Sequence, residues 1–285
     1  MITPARFVST AGMTKLPIGV LVPLVPEPEA EIRKVVELGL HSCQVCSWNP
    51  AVWTNATGEK LIAAAKQHGV TITTFWAGYP GPAQWNFKNG PDTIGLVPAA
   101  YRAMRVEALQ KAADFAAHFH LPSITTHVGF LPVNPSDPVF IDSVAAIKQV
   151  ARHCKTRGIE FWFETGQETP VTLLRTIEQV GTGNLGINLD PANLILYGMA
   201  NPIDALDVFG KYVRDVHAKD GIYPTSGDEL GHEVPLGDGK VNFPALIPKL
   251  KACGYQGALT IEREISGTQQ ISDIKKAIRI LEPLC

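Results

Sequence analysis

The 285-residue sequence has no apolar run long enough to span a membrane, and residues 1–19, MITPARFVSTAGMTKLPIG, hold no signal-peptide core. A membrane association is therefore not expected, and a cytoplasmic location is. Charge of neither sign dominates: 25 Lys and Arg stand against 27 Asp and Glu, a formal net charge of -2. Nucleic-acid binders carry a basic face that neutralises phosphates, so no nucleic-acid partner is expected. Cysteine is scarce too. Cys43, Cys46, Cys154, Cys253 and Cys285 are odd in number and dispersed, which argues against a disulfide framework and suits reduced thiols. In CQVC, a strand's period of two sends Cys43 and Cys46 to opposite faces, so the pair reads as structural rather than metal-binding.

No Pro/Ser-rich linker divides the chain either, and what fills it is a regular alternation. Short β-rich runs occur at 17–24, 42–48, 71–77, 123–129, 160–164, 185–190, 213–219 and 258–264. Between them lie stretches such as EKLIAAAKQHG and DSVAAIKQVARHCKTRG, whose apolar residues recur every three or four positions and which end in glycine. Eight strands, each followed by a helix, predict an α/β fold: one (β/α)8 TIM-barrel domain over 1–285, with 1–15 as an N-terminal extension. Long inserts follow the third and seventh strands and are expected over the barrel's C-terminal face.

Barrel chemistry sits where the strands end, so the residues at those ends are the test. The fourth strand reaches His127, the fifth Glu164, the sixth Asp190, the seventh His217, and the eighth Glu262 beside Arg263. Three crowded carboxylates repel one another unless a cation offsets them, and a histidine completes a set of three oxygens and one nitrogen. That set predicts one divalent metal ion held by Glu164, Asp190, His217 and Glu262. Mn2+ is favoured, with Mg2+, Co2+, Fe2+ and Zn2+ open. The competing reading is a salt-bridge network in which Arg214, Lys219 and Arg263 neutralise the acids.

The segments FWFETGQETP, NLDPANLILYG, VRDVHAKDG and VPLGDGKVNFPALIPKLKACGYQGALTIERE resemble the xylose isomerase-like TIM barrels grouped as sugar phosphate isomerases and epimerases. The resemblance covers nearly the whole chain and is strongest from 160 to 265. In the D-tagatose 3-epimerase-like members one divalent ion is held by Glu, Asp, His and Glu from the last four strands, matching Glu164, Asp190, His217 and Glu262. The two glutamates there also move the proton, which makes Glu164 and Glu262 the expected catalytic pair. Where those relatives carry a substrate-touching His three residues after the metal Asp this chain has Asn193. Where they carry an Arg six residues after the metal His it has Tyr223. Dimers or tetramers are common in such barrels, so a homo-oligomer is expected.

The resemblance implies a metal-dependent isomerase or epimerase acting on a ketose or related small carbohydrate, by proton abstraction next to a carbonyl through a metal-stabilised enediolate. An inosose dehydratase-like lyase shares that first step and is the alternative. An endonuclease IV-like nuclease has the same barrel but needs further His and Asp ligands, and Asn193, Gly231 and Glu233 stand where they would be. A non-catalytic sugar-binding barrel is the third reading. Around the metal, His127, Lys219, Glu233, Asn193, Trp76 and Trp48 are the candidate substrate contacts. Either tryptophan reads equally well as core or lid packing, His127 as a structural residue and Glu233 as a solvated loop charge. Arg263, of opposite parity to Glu262, is expected to support it through a salt bridge.

Overall fold

The structure is a computed structural model describing residues 15–285. The expected N-terminal extension lies, but for Lys15, outside the described residues. All eight expected strands form. They are β1 (Ile18–Pro23), β2 (Ser42–Ser47), β3 (Thr71–Ala77), β4 (Ser123–Thr126), β5 (Glu160–Glu164), β6 (Leu185–Leu189), β7 (Val213–Ala218) and β10 (Leu259–Ile261). They close in that order into a parallel barrel, with β10 pairing back onto β1. The insert after β7 contains two strands that the sequence reading did not anticipate, β8 (Asp220–Ile222) and β9 (His232–Val234), paired antiparallel outside the barrel.

The helices are α1 (Glu29–Glu37), α2 (Asn55–His68), α3 (Ala99–His118), α4 (Pro138–Thr156), α5 (Pro170–Val180), α6 (Pro191–Leu196), α7 (Pro202–Phe209), α8 (Phe243–Ala252) and α9 (Thr268–Leu281). Four start the same way: Asp137, Thr169, Asp190 and Asn201 each cap a backbone amide with a side-chain oxygen, and proline follows at the first helical position. Proline fits there because its missing N–H would have had no partner within the helix. Among the described residues no helix is long and apolar enough to cross a membrane.

Strand alternation divides the barrel into two interiors. Val20, Val22, Cys43, Val45, Phe75, Ile124, Phe161, Phe163, Ile187, Leu189 and Val216 are buried in the apolar core. The residues between them turn inward and, apart from Leu21 and Trp162, are polar. Thr74 bonds Thr125 at 2.9 Å, Gln44 bonds Asn188 at 3.0 Å, and Thr260 reaches Asp215 at 3.4 Å. Two residues further along the same inward rows come Cys46, Trp76, His127, Asp190, His217 and Glu262, and Glu164 ends its own strand. The register that hides the core thus delivers one ring of polar side chains to the C-terminal mouth.

Candidate metal centre

Glu164, Asp190, His217 and Glu262 come together as expected, each offering a ligand atom within 4.8 Å of the others. His217 Nδ1 lies 3.1 Å from Glu262 Oε2, 3.3 Å from Glu164 Oε1 and 3.9 Å from Asp190 Oδ2. Asp190 Oδ2, His217 Nδ1 and Glu262 Oε2 are buried without a well-formed hydrogen bond, and their neighbours are one another and the Lys219 ammonium, 3.5 Å from Asp190 and 3.3 Å from Glu262. Three orphaned donor atoms converging on one point would be costly by themselves, and a divalent cation satisfies all three at once. The donor set fits such an ion.

Local structure explains how each ligand is aimed. Asp190 follows β6, and its Oδ1 accepts from the amide of Asn193 at 2.8 Å, capping α6 and leaving Oδ2 for the centre. Thr165, just past β5, ties the two strand ends together: its hydroxyl donates to the Asp190 carbonyl at 2.8 Å and accepts the Asp190 N–H at 2.9 Å. His217 Nε2–H donates to Gln44 Oε1 at 2.8 Å, and the Gln44 amide donates in turn to Asn188 at 3.0 Å. The Gln44 bond engages Nε2 and leaves Nδ1 facing the carboxylates, the nitrogen a cation would take. Sequence reasoning missed Gln44, which is 173 positions from His217 and meets it only because the barrel closes.

The same crowding sets the charges. Burial pushes Asp190 up to about 8, with Lys219 opposing and Glu262 and Glu164 adding to the rise. Burial also disfavours ionised Glu164 and Glu262. His127 and His217 nonetheless hold Glu164 below the usual carboxylate range, and Lys219 and His217 hold Glu262 well below it. For His217 and Lys219 burial acts downward, and the surrounding carboxylates raise both well above their ordinary values.

The remaining candidates divide. His127 Nε2 lies 3.4 Å from Glu164 Oε1, Asn193 donates to that oxygen at 3.1 Å, and the Trp76 indole N–H donates to Glu164 Oε2. Trp48 stands beside Trp76 with ring centroids 5.1 Å apart and lines the mouth. Lys219 faces inward as its position predicts, but its ammonium is taken up by Asp190 (3.5 Å), Glu262 (3.3 Å) and Glu264 (2.9 Å). Arg263 does not make the expected contact with Glu262. It turns outward to Glu233 at 2.9 Å and Asp273 at 2.8 Å, because its parity points it at the β9 strand and α9 instead of the mouth. Glu233 is held by that pairing and by the Glu264 amide, away from the cavity. Arg214 pairs with Glu160 at 3.3 Å, so of the three cations proposed to neutralise the acids only Lys219 reaches them. Tyr223 points its hydroxyl at the Ala200 carbonyl.

A cavity of about 380 Å³ opens above the centre. It is lined by residues the sequence reading did not single out, among them Trp85, Gln167 and Tyr197, and by Cys46, which that reading took as structural. Cys43 and Cys46 lie on opposite faces, as the period of two requires, yet only Cys43 packs in the apolar core. Cys46 borders the cavity, and burial, reinforced by Glu262 and Glu164, pushes its thiol up to about 12. In the loop after β7, Asp220 receives the amides of Gly237, Gly239 and Val241. The turn over residues 237–239 is thus closed on a carboxylate.

The sequence matches the family described as xylose isomerase-like TIM barrel over residues 32–284. A xylose isomerase domain protein from Planctomyces limnophilus is 35% identical with a TM-score of 0.88, over 95% of this chain and 98% of that one. A xylose isomerase-like TIM barrel protein from Mycobacterium smegmatis, solved in complex with magnesium, shares the fold at 17% identity and a TM-score of 0.68, over 94% of this chain and 97% of its own. D-psicose 3-epimerase, solved in the presence of D-fructose, does so at 17% and 0.70, over 94% and 99%. An uncharacterized protein of Methanocaldococcus jannaschii is 25% identical over 194 residues, 64% of this chain. The chain spans about 62% of the length of that curated relative.

Proposed function

The chain belongs to the xylose isomerase-like TIM-barrel family, and from that premise we propose that it is a divalent-metal-dependent isomerase or epimerase of a ketose or related carbohydrate. The observation that carries the reading is the convergence of buried Asp190 Oδ2, His217 Nδ1 and Glu262 Oε2, none of them in a well-formed hydrogen bond, beside Glu164. Glu164, Asp190, His217 and Glu262 would hold the ion. The chemistry it supplies when bound is Lewis acidity, which acidifies the C–H next to a substrate carbonyl and offsets the charge of an enediolate.

The chain's own groups then do the proton work. Glu164 and Glu262 both border the cavity, from β5 and from the end of β10, so a substrate between them presents one face to each. Neighbouring positive charge favours both as carboxylates, the form that accepts a proton. One removes the proton and the other returns it from the far side, inverting the carbon. The Trp76 and Asn193 hydrogen bonds fix the Glu164 carboxylate in one orientation.

Among the described residues this quartet is the one cluster of metal-ligating side chains, and Glu233 is engaged by Arg263. Both favour a single ion over the three-metal centre of a nuclease. The test is Glu164→Gln and Glu262→Gln, each expected to lower turnover by at least about a hundredfold, the usual scale for losing a general base. A variant that turns over ketose at the wild-type rate removes its residue from the proton path.

A further inference from the structure

Resting on the carbohydrate reading above, we infer that the cavity takes an unphosphorylated glycoside whose floor ring carries the ketone, with that neutral ring at the floor and a second ring held by tryptophan at the mouth. Charge is the first argument. Glu164, Asp190 and Glu262 surround the floor and Glu264 stands exposed at its rim; with a divalent ion in place the three floor acids balance the ion and Lys219, and Glu264 adds one negative charge. A phosphate ester adds roughly 1.5 to 2 further negative charges and is normally met by Arg, Lys or a ring of amides. Among the described residues, no arginine or lysine lines the cavity. Lys219 is saturated by three carboxylates, and Arg263 is turned outward to Glu233 and Asp273. Arg105 gives its guanidinium to the carbonyls of Pro80, Pro82 and Gly95.

What the cavity offers instead is neutral. The Gln167 amide and the Tyr197 hydroxyl are buried near each other without a well-formed hydrogen bond, and both residues line the cavity. Such groups match sugar hydroxyls, which donate and accept but carry no charge.

Shape is the second argument. Trp48 and Trp85 stand at the mouth, 43% and 42% exposed, their rings 6.0 Å apart. Trp85 continues down to His127 at 5.0 Å, and Trp48 to Trp76 at 5.1 Å, so the aromatic wall runs from solvent to the Glu164 carboxylate. Leu196 and Leu230 are also in the lining. A monosaccharide on the metal would reach the lower wall, whereas the two exposed indoles need a second ring with an apolar face to cover them. An aryl aglycone and the C–H face of a second pyranose share that chemistry.

The test uses the Mn2+-loaded protein and calorimetric titration with methyl β-D-glucopyranoside, phenyl β-D-glucopyranoside, cellobiose, D-fructose and D-fructose 6-phosphate. The phenyl glucoside or cellobiose should bind about tenfold or more tightly than the methyl glucoside, and whichever wins identifies the outer ring. Fructose 6-phosphate should bind no better than fructose. Trp85→Ala should abolish the outer-ring preference while keeping its metal content. Tighter binding of the phosphate ester, equal affinity for all glucosides, or no glucoside binding overturns the inference. Proton exchange on D-fructose in heavy water separates the two readings. Exchange without an outer-ring preference leaves the isomerase standing and removes the glycoside, whereas the preference without metal or exchange does the reverse.

Discussion

Asp190 shows how much one residue can carry. It sits between an apolar strand and a proline, and its two oxygens separate two tasks: Oδ1 caps α6 and Oδ2 meets the metal centre. A position that looks like a misplaced charge in the sequence is both the start of a helix and a candidate ligand. Gln44 is the opposite case, a buried neutral side chain that leaves no sequence signal yet decides which nitrogen of His217 is free. Gln44→Leu keeps the size and removes the acceptor, so it should weaken metal affinity about 10- to 100-fold, the usual cost of losing such a partner. Competition with a metal-sensitive dye measures it. Affinity equal to wild type would mean that His217 needs no orienting partner.

Two loops carry the cavity walls, and each is anchored in its own way. The loop after β3 brings Trp85 to the mouth. Arg105, on α3, holds it through the Pro80, Pro82 and Gly95 carbonyls, while Tyr79 accepts the Gly95 amide at 2.8 Å. Gly95 has φ +74°, and a Cβ there would come within 2.1 Å of the Val128 backbone, so no other residue lets this loop approach the end of β4. Arg105→Met strands those carbonyls and should cost about 2 kcal/mol or more by urea denaturation, with earlier proteolysis in the loop. Unchanged stability would show that the loop is held by its glycines and apolar contacts alone.

The loop after β5 contains Glu168, 2% exposed, whose carboxyl is pushed up to about 8 by burial, against the pull of the local amides of Glu168, Gln167 and Gly166. An acid whose pKa is raised on folding retains a proton that the unfolded chain has lost. Its contribution to stability is therefore whole below about 4.5 and disappears as pH rises towards 8. Glu168→Gln keeps the neutral form, so its Tm advantage over wild type should widen from pH 5 to pH 8. A gap that stays constant across that range would contradict the assignment.

For the molecule as a whole, the barrel was legible because its strands are rich in β-branched and aromatic residues and its helices are punctuated by glycine. The quartet was legible for a related reason: strand ends are where a barrel places chemistry, and the three acids and one histidine stand there in consecutive strands. The β8–β9 hairpin was not, since its strands are three residues each and carry no alternating run. Nor were Trp85, Gln167 and Tyr197, which reach the cavity from loops and a helix end. Arg263 was misplaced because parity showed that it faces away from Glu262 but not that Glu233 and Asp273 wait on the other side.

The most direct test of the central claim combines elemental analysis of the purified protein with deuterium exchange on a panel of ketoses in heavy water, with and without chelator. The account predicts about one divalent ion per chain, the smallest stoichiometry that satisfies the orphaned atoms of Asp190, His217 and Glu262, and carbon-bound proton exchange that stops when the ion is removed. Three ions per chain, or exchange indifferent to chelator, would contradict it.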